Sequence, residues 1–176
     1  GLNLFNPQTR RFRRLQGKSG HDLRSTTIKS LYAAPNGRLW VGTFKGGLHA
    51  YDATSNQFTA YARSTVPELP TLSDATVNAI AAAGAYLWIG TDKYGGLHKF
   101  DPRSGRYVDY TLREQLHQLL LNVNVKAIYA DQLGNLWLST FGRGLVVFNE
   151  QTGRITTFKH LPGDPNSLHR TDISHV

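Results

Sequence analysis

Apolar and polar residues alternate in short runs along most of this chain, and glycine-bearing turns separate the runs. Between residues 77 and 111, Val77-Asn78-Ala79-Ile80-Ala81 alternates as a strand does, and Ala83-Gly84-Ala85 makes a turn. Leu87 to Thr91 is a second run rich in β-formers, and Asp92 to Gly96 is a glycine-containing turn. Leu97 to Phe100 is a third run, and Asp101-Pro102-Arg103-Ser104-Gly105 is a strong turn signal. Arg106 to Thr111 completes four strands, with Tyr107 and Tyr110 suited to a pleated surface. The same series is expected at Ile28–Ala33, Arg38–Thr43, Leu48–Tyr51 and Gln57–Tyr61, and again at Val125–Ala130, Asn135–Thr140, Leu145–Phe148 and Arg154–Phe158. Asn36-Gly37 and Gly134-Asn135 suit tight hairpins in the first turns.

The series has a period. Trp40, Trp88 and Trp137 lie 48 and 49 residues apart, in the phrases Leu-Trp-Val-Gly-Thr, Leu-Trp-Ile-Gly-Thr and Leu-Trp-Leu-Ser-Thr. A Gly-Leu pair follows each, at Gly47-Leu48, Gly96-Leu97 and Gly144-Leu145. Four short antiparallel strands per period of this size predict the blade of a β-propeller, whereas leucine-rich, ankyrin and helical-pair repeats need other periods. The expected fold is all-β, a propeller segment of about three and a half four-stranded antiparallel blades. Residues 1–15 match the last two strands of a blade, 28–62, 77–111 and 125–159 are blades, and 160–176 hold a linker and the first strand of a next blade. Leu112 to Leu121 could add a helical turn in a linker. So short a stack would expose apolar faces and sheet edges, so the remaining blades of a larger ring, or another copy of the chain, are the expected partners.

The phrases Leu-Trp-(Val/Ile)-Gly-Thr and Gly-Gly-Leu, followed by an aromatic with Asp or Asn (Tyr51-Asp52, Phe100-Asp101, Phe148-Asn149), resemble the two-component regulator propeller repeat. Leu161-Pro162-Gly163-Asp164-Pro165-Asn166-Ser167-Leu168 looks like that family's inter-blade linker. Ser139 departs from the phrase, and Arg143 splits the Gly-Gly pair. The resemblance implies the periplasmic sensor of an inner-membrane bacterial receptor with a histidine kinase, hybrid kinase or cyclase output, dimeric in the parent protein. It also implies an oligosaccharide ligand.

Composition adds limits. The 176 residues, 40% of them hydrophobic, suffice for a sizeable core, and no apolar run is long enough to cross a bilayer. The opening Gly1-Leu2 reads as a repeat already in progress, so an excised piece of a larger protein is expected. Zero cysteines exclude disulfides and thiolate metal sites. A formal charge of +8 favours anionic partners, but Arg10, Arg11, Arg13 and Arg14 are four of the twenty Lys and Arg and lie on what reads as a solvated outer strand whose Phe12 alternates inward.

Strand direction places the loop after each second strand and the linker after each fourth on one face. That face is expected to gather Phe44, Lys45, Asp92, Lys93, Tyr94, Phe141 and Arg143, with His169 and Arg170 from a linker. Aromatic rings can stack on sugar C–H groups, and Arg or Lys can pair with carboxylate or sulfate, so an acidic oligosaccharide suits the set. The competing reading is that the rings pack under the linkers while the cations are merely solvated.

Other signals read as structure. His49 and His98 share a third-strand position that holds Val146 in the last copy, which favours packing over metal binding. The tryptophans are expected to fill the space between blades, and Thr43, Thr91 and Thr140 to bond turn backbone. No Gly-x-Ser-x-Gly elbow, His-Glu-x-x-His helix or P-loop is present, so no catalytic residue, metal or cofactor is assigned. The expected function is ligand sensing without catalysis. A protein-interaction scaffold is the alternative, a polysaccharide lyase a weaker one, and nucleic-acid binding is not expected.

Overall fold

A computed structural model of the chain describes residues 1–16, 22–61, 76–92, 96–110 and 113–176. It contains three four-stranded antiparallel sheets and a two-stranded one. The two-stranded sheet pairs β1 (Leu2–Asn6) with β2 (Arg11–Leu15). The first full blade comprises β3 (Ile28–Ala33), β4 (Leu39–Thr43), β5 (Gly47–Asp52) and β6 (Gln57–Tyr61). The second comprises β7 (Val77–Ala83), β8 (Tyr86–Thr91), β9 (Leu97–Asp101) and β10 (Arg106–Val108). The third comprises β11 (Val125–Ala130), β12 (Asn135–Thr140), β13 (Leu145–Asn149) and β14 (Arg154–Phe158). Each sheet pairs its strands in chain order, so every connection within a blade is a hairpin.

The polar residue closing each third strand sets the outer turn. Asn6, Asp52 and Asp101 accept backbone N–H groups from the turn residues Gln8, Thr54 and Arg103, and Asn149 accepts that of Thr152. These Asx bonds explain why an aromatic followed by Asp or Asn recurs in the sequence.

The core lies between blades, because alternate residues of each strand face opposite neighbours. Leu2 and Leu15 pack with Val41, Tyr51 and Phe58. Trp40, Leu48 and Ala50 meet Val77, Leu87, Ile89, Phe100 and Tyr107. Trp88, Leu97 and Tyr110 meet Val125, Leu136, Leu138, Val146 and Phe148. Trp40 and Trp88 are almost fully buried, as expected of residues filling the gaps, whereas Trp137 is only half-buried. Burying a ring of that size contributes roughly 4–6 kcal/mol as an upper estimate.

Glycine in the tryptophan phrase reflects close approach of backbones. A Cβ on Gly42 would strike Ser30 Oγ and lie 2.6 Å from the Val77 carbonyl of the next blade. One on Gly90 would lie 2.8 Å from Val125 Cγ1. The third blade has Ser139 there, fully buried, and its hydroxyl has no partner.

Three expectations need correction. Phe12 is 72% exposed rather than inward, because its side of the two-stranded sheet has no sheet against it. The fourth strand of the second blade stops at Val108, where Asp109 takes the Tyr110 N–H and the Tyr110 hydroxyl donates to the Leu97 carbonyl. Residues 160–176 hold no strand, since no second strand lies beside them to pair with, although the Ile173 N–H reaches the Thr140 carbonyl at 3.0 Å. The linker between the second and third blades forms an eight-residue helix, α1 (Arg113–Leu120). Its Leu116 and Leu120, one turn apart, are fully buried against Val125 and Leu138.

Candidate functional site

Each inner strand carries a β-bulge in its first residues, between Ile28 and Ser30, Val77 and Ala79, and Val125 and Ala127. A bulge re-aims the side chain it carries, here Lys29, Asn78 and Lys126. The Lys29 ammonium lies 5.6 Å from the Phe44 ring, and that of Lys45 lies 5.2 Å from it. Asn78 instead donates to the Val125 carbonyl of the following blade at 3.2 Å. Lys126 lines a cleft of about 470 Å³ with Phe141, His160, His169 and Arg170. Among the described residues, the aromatic-and-cation grouping is therefore seen in the first and third blades.

The loops are pinned across blade boundaries. The Lys45 N–H donates to Thr76 Oγ1 at 3.3 Å, and the equivalent Gly142 N–H donates to Asp172 Oδ1 at 2.7 Å. Both donors adopt left-handed backbone, with φ of 52° and 89°. That conformation is easy for glycine and costly for lysine. Asp92 is engaged within its own blade, its Oδ1 accepting the Thr76 N–H at 3.1 Å. Thr76 thus links Lys45 to Asp92, and the loop positions are held from two sides.

The structure groups Phe141, His169 and Arg170 in the cleft, and Phe44 with Lys45 in the first blade. Phe141 is 59% exposed and Phe44 40%. Arg143 is exposed in the Phe141 loop but does not line the cleft. Lys93 and Tyr94 lie outside the described residues. Lys126 and His160 complete the cleft and were not among the expected site residues. His160 is positioned by a 2.7 Å bond between its Nδ1 and the Leu168 carbonyl, which closes the 160–168 turn. Asp172 also faces the cleft and offsets part of the charge of Lys126 and Arg170. Such a surface can stack a flat apolar ring on Phe141 and pair an anion with Arg170.

The histidines at the shared third-strand position serve packing and local bonding. His49 is fully buried, and its Nε2 accepts the Arg24 N–H at 3.2 Å. Burial pushes its pKa down to about 4, and the positive charge of Arg24 adds to that. The Gly47 carbonyl pulls the other way, without hydrogen-bonding geometry at Nδ1. His98 Nε2 lies 3.4 Å from Thr91 Oγ1. Thr43 and Thr140 donate to the carbonyls of Gly47 and Gly144.

A family model described as two component regulator propeller matches residues 22–45 and 119–142. Those two segments are two-component regulator propeller repeats. Each matched segment ends at the loop that holds Phe44 or Phe141. No curated protein matches the sequence. Among solved structures, the chain is similar to the extracellular domain of BT4673 from B. thetaiotaomicron, described as a one component or a hybrid two component system. The TM-score is 0.79 at 23% identity, covering 99% of this chain and 22% of that one. It is also similar to the extracellular domain of the hybrid two component system BT3049 of the same organism, with TM-score 0.69, 24% identity, and coverage of 99% and 27%. PorZ of Porphyromonas gingivalis, a surface component of the type-IX secretion system, gives TM-score 0.70 at 18% identity, with coverage of 97% and 25%. These likenesses establish the propeller fold. The chain spans about a quarter of the length of these structures.

Proposed function

We propose that this two-component regulator propeller segment is a non-catalytic, ligand-sensing part of an extracytoplasmic receptor, acting in the periplasm of a bacterium. Its ligand is an oligosaccharide carrying acidic groups. The receptor reading is supported by the repeat family together with the extracellular two-component domains that share the fold. The ligand class rests on one observation, an exposed Phe141 beside Arg170 and Lys126 in a cleft of about 470 Å³. That volume falls within the range of small-ligand sites. Binding would act by favouring one arrangement of receptor chains over another.

Calorimetric titration with uronate-bearing and neutral oligosaccharides, at low and high salt, tests the reading. Saturable binding of the acidic class, weakened by salt, is expected. Phe141→Ala and Arg170→Ala should each weaken it about tenfold, or ~1.4 kcal/mol. Absence of saturable binding to either class rejects the sugar ligand. It would favour the second reading, a protein-interaction scaffold, for which PorZ supplies a precedent of the fold in a surface component.

A further inference from the structure

The joint between the second and third blades holds a pocket of about 240 Å³. The β7–β8 turn at Gly84 and Ala85 forms one wall, and Tyr86, Trp88, Lys99 and Glu150 line it as well. Turns between first and second strands lie on the opposite face from those between second and third strands, so this pocket opens away from the Phe141 cleft. Both blades that form it have all four strands, and every lining residue is among those described.

The joint between the first and second blades is built differently at the same positions. Lys99 pairs with Trp88 as Ala50 pairs with Trp40. Glu150 follows Asn149 as Pro102 follows Asp101, so neither charge has a counterpart there. Tyr86 precedes Leu87 as Arg38 precedes Leu39, and the Arg38 guanidinium lies 5.9 Å from the Trp40 ring. The β7–β8 turn is also one residue shorter. Residues 83–86 separate the paired Ala82 and Leu87, whereas 34–38 separate Ala33 from Leu39 and 131–135 separate Ala130 from Leu136. A short turn of small side chains leaves space beside the ion pair.

The chemistry of the lining narrows what fits. Lys99 Nζ donates to both Glu150 oxygens at 2.8 Å and lies 4.3 Å from the Tyr86 ring centroid. Those contacts occupy the ammonium but leave each carboxylate oxygen a second lone pair. The Glu150 side chain is 30% exposed, so the ion pair holds it in one orientation as a two-point acceptor. The two charges cancel, and no other charged side chain lines the pocket, so the lining matches a ligand without net charge. Tyr86 is 36% exposed and offers ring surface to C–H groups. The volume lies below the roughly 300–1,000 Å³ of drug-sized sites, which restricts the ligand to a single ring. We propose that this pocket binds one neutral sugar residue, with adjacent hydroxyls donating to Glu150 and an apolar C–H face against Tyr86. The site is separate from the Phe141 cleft and does not depend on what that cleft binds.

Chemical-shift titration of the full chain with methyl glycosides of glucose, galactose and mannose tests the proposal, followed at the Trp88 indole. Guanosine, another neutral ligand with two adjacent donors, is titrated in parallel. Saturable shifts with at least one glycoside are expected, with a Kd on the order of 1 mM for so small a ligand. Tyr86→Ala should weaken binding about tenfold or more. So should Ala85→Leu, which fills the pocket from an exposed turn and leaves the ion pair intact. Lys99→Met/Glu150→Leu, which removes the acceptor while keeping apolar packing, should do the same. Phe141→Ala and Arg170→Ala should leave glycoside affinity unchanged, which separates this site from the cleft. Circular dichroism melting of each variant checks that the fold persists. No saturable shift with any glycoside overturns the proposal. So does glycoside affinity that survives the three pocket variants or is lost with Phe141→Ala, or saturable binding of guanosine without that of any glycoside.

Discussion

The indole N–H of Trp137 donates to Asp131 Oδ2 at 2.8 Å. The same carboxylate accepts the Leu133 and Asn135 backbone N–H groups and the Asn135 side-chain amide, so it organises the whole β11–β12 hairpin. The equivalent positions in the other blades are Ala34 and Ala83, which offer the indole no carboxylate. These bonds, led by the indole, hold the Asp131 pKa down to about 2, from an ordinary 3.8.

Between those two values the unfolded chain binds more protons at Asp131 than the native one. The stabilisation is therefore complete above pH 4 and is lost as pH falls toward 2. Asp131→Ala should lower the melting temperature at neutral pH and shift Trp137 emission, while narrowing its gap from wild type at pH 2. A melting difference that does not vary with pH would count against the bond as the cause.

His49 produces acid sensitivity in a higher window. Its folded pKa is about 4 and its ordinary value 6.5, so the unfolded state holds the extra proton between them. Stability should fall as pH drops from 6.5 to 4, by on the order of 3 kcal/mol. His49→Val, which installs the residue type found at Val146, should flatten that part of the profile. Chemical denaturation at pH 7, 5.5 and 4 measures it, and an unchanged slope in the variant would assign the acid limb to other groups.

Opposite outcomes are expected for two substitutions at one repeat position. Gly42→Ala drives a methyl into the Val77 carbonyl of the next blade and should cost about 1–3 kcal/mol. Ser139→Ala removes a buried hydroxyl that lacks a partner and should leave stability unchanged or raise it by up to ~1 kcal/mol. Urea unfolding of both variants decides the matter. A destabilised Ser139→Ala would mean that the hydroxyl is satisfied in solution.

The strands were legible because each is bounded by a turn with local chemistry, such as Asp101 and Gly105. The tryptophan period then fixed how they stack. Tyr110 was less so, since its alternation continues a strand that its own hydroxyl bond to Leu97 interrupts. The helix carrying Leu116 and Leu120 was underestimated because its apolar face is only two residues long. Strand direction was enough to place Phe141 near His169 and Arg170. Lys126 reaches the same cleft through a bulge, a register change that leaves no mark in residue type. The placement of His160 depends on the closure of the 160–168 turn, which the linker's sequence suggests only as a turn.

The second and third blades are also joined by charge. Lys99 Nζ contacts both oxygens of Glu150 at 2.8 Å and lies 4.3 Å from the Tyr86 ring and 5.5 Å from that of Trp88. The lysine is mostly buried and the glutamate partly so, which limits solvent screening. Alanine at Glu150 leaves the ammonium with only the ring faces and should cost about 1–3 kcal/mol. Lys99→Met preserves the packing against Tyr86 and Trp88 while removing the need for a counter-charge. Combined with Glu150→Ala, it should recover more than half of that loss, a coupling of about 1–2 kcal/mol in a double-mutant cycle. Strict additivity of the two single changes would show that the ion pair contributes nothing to the joint.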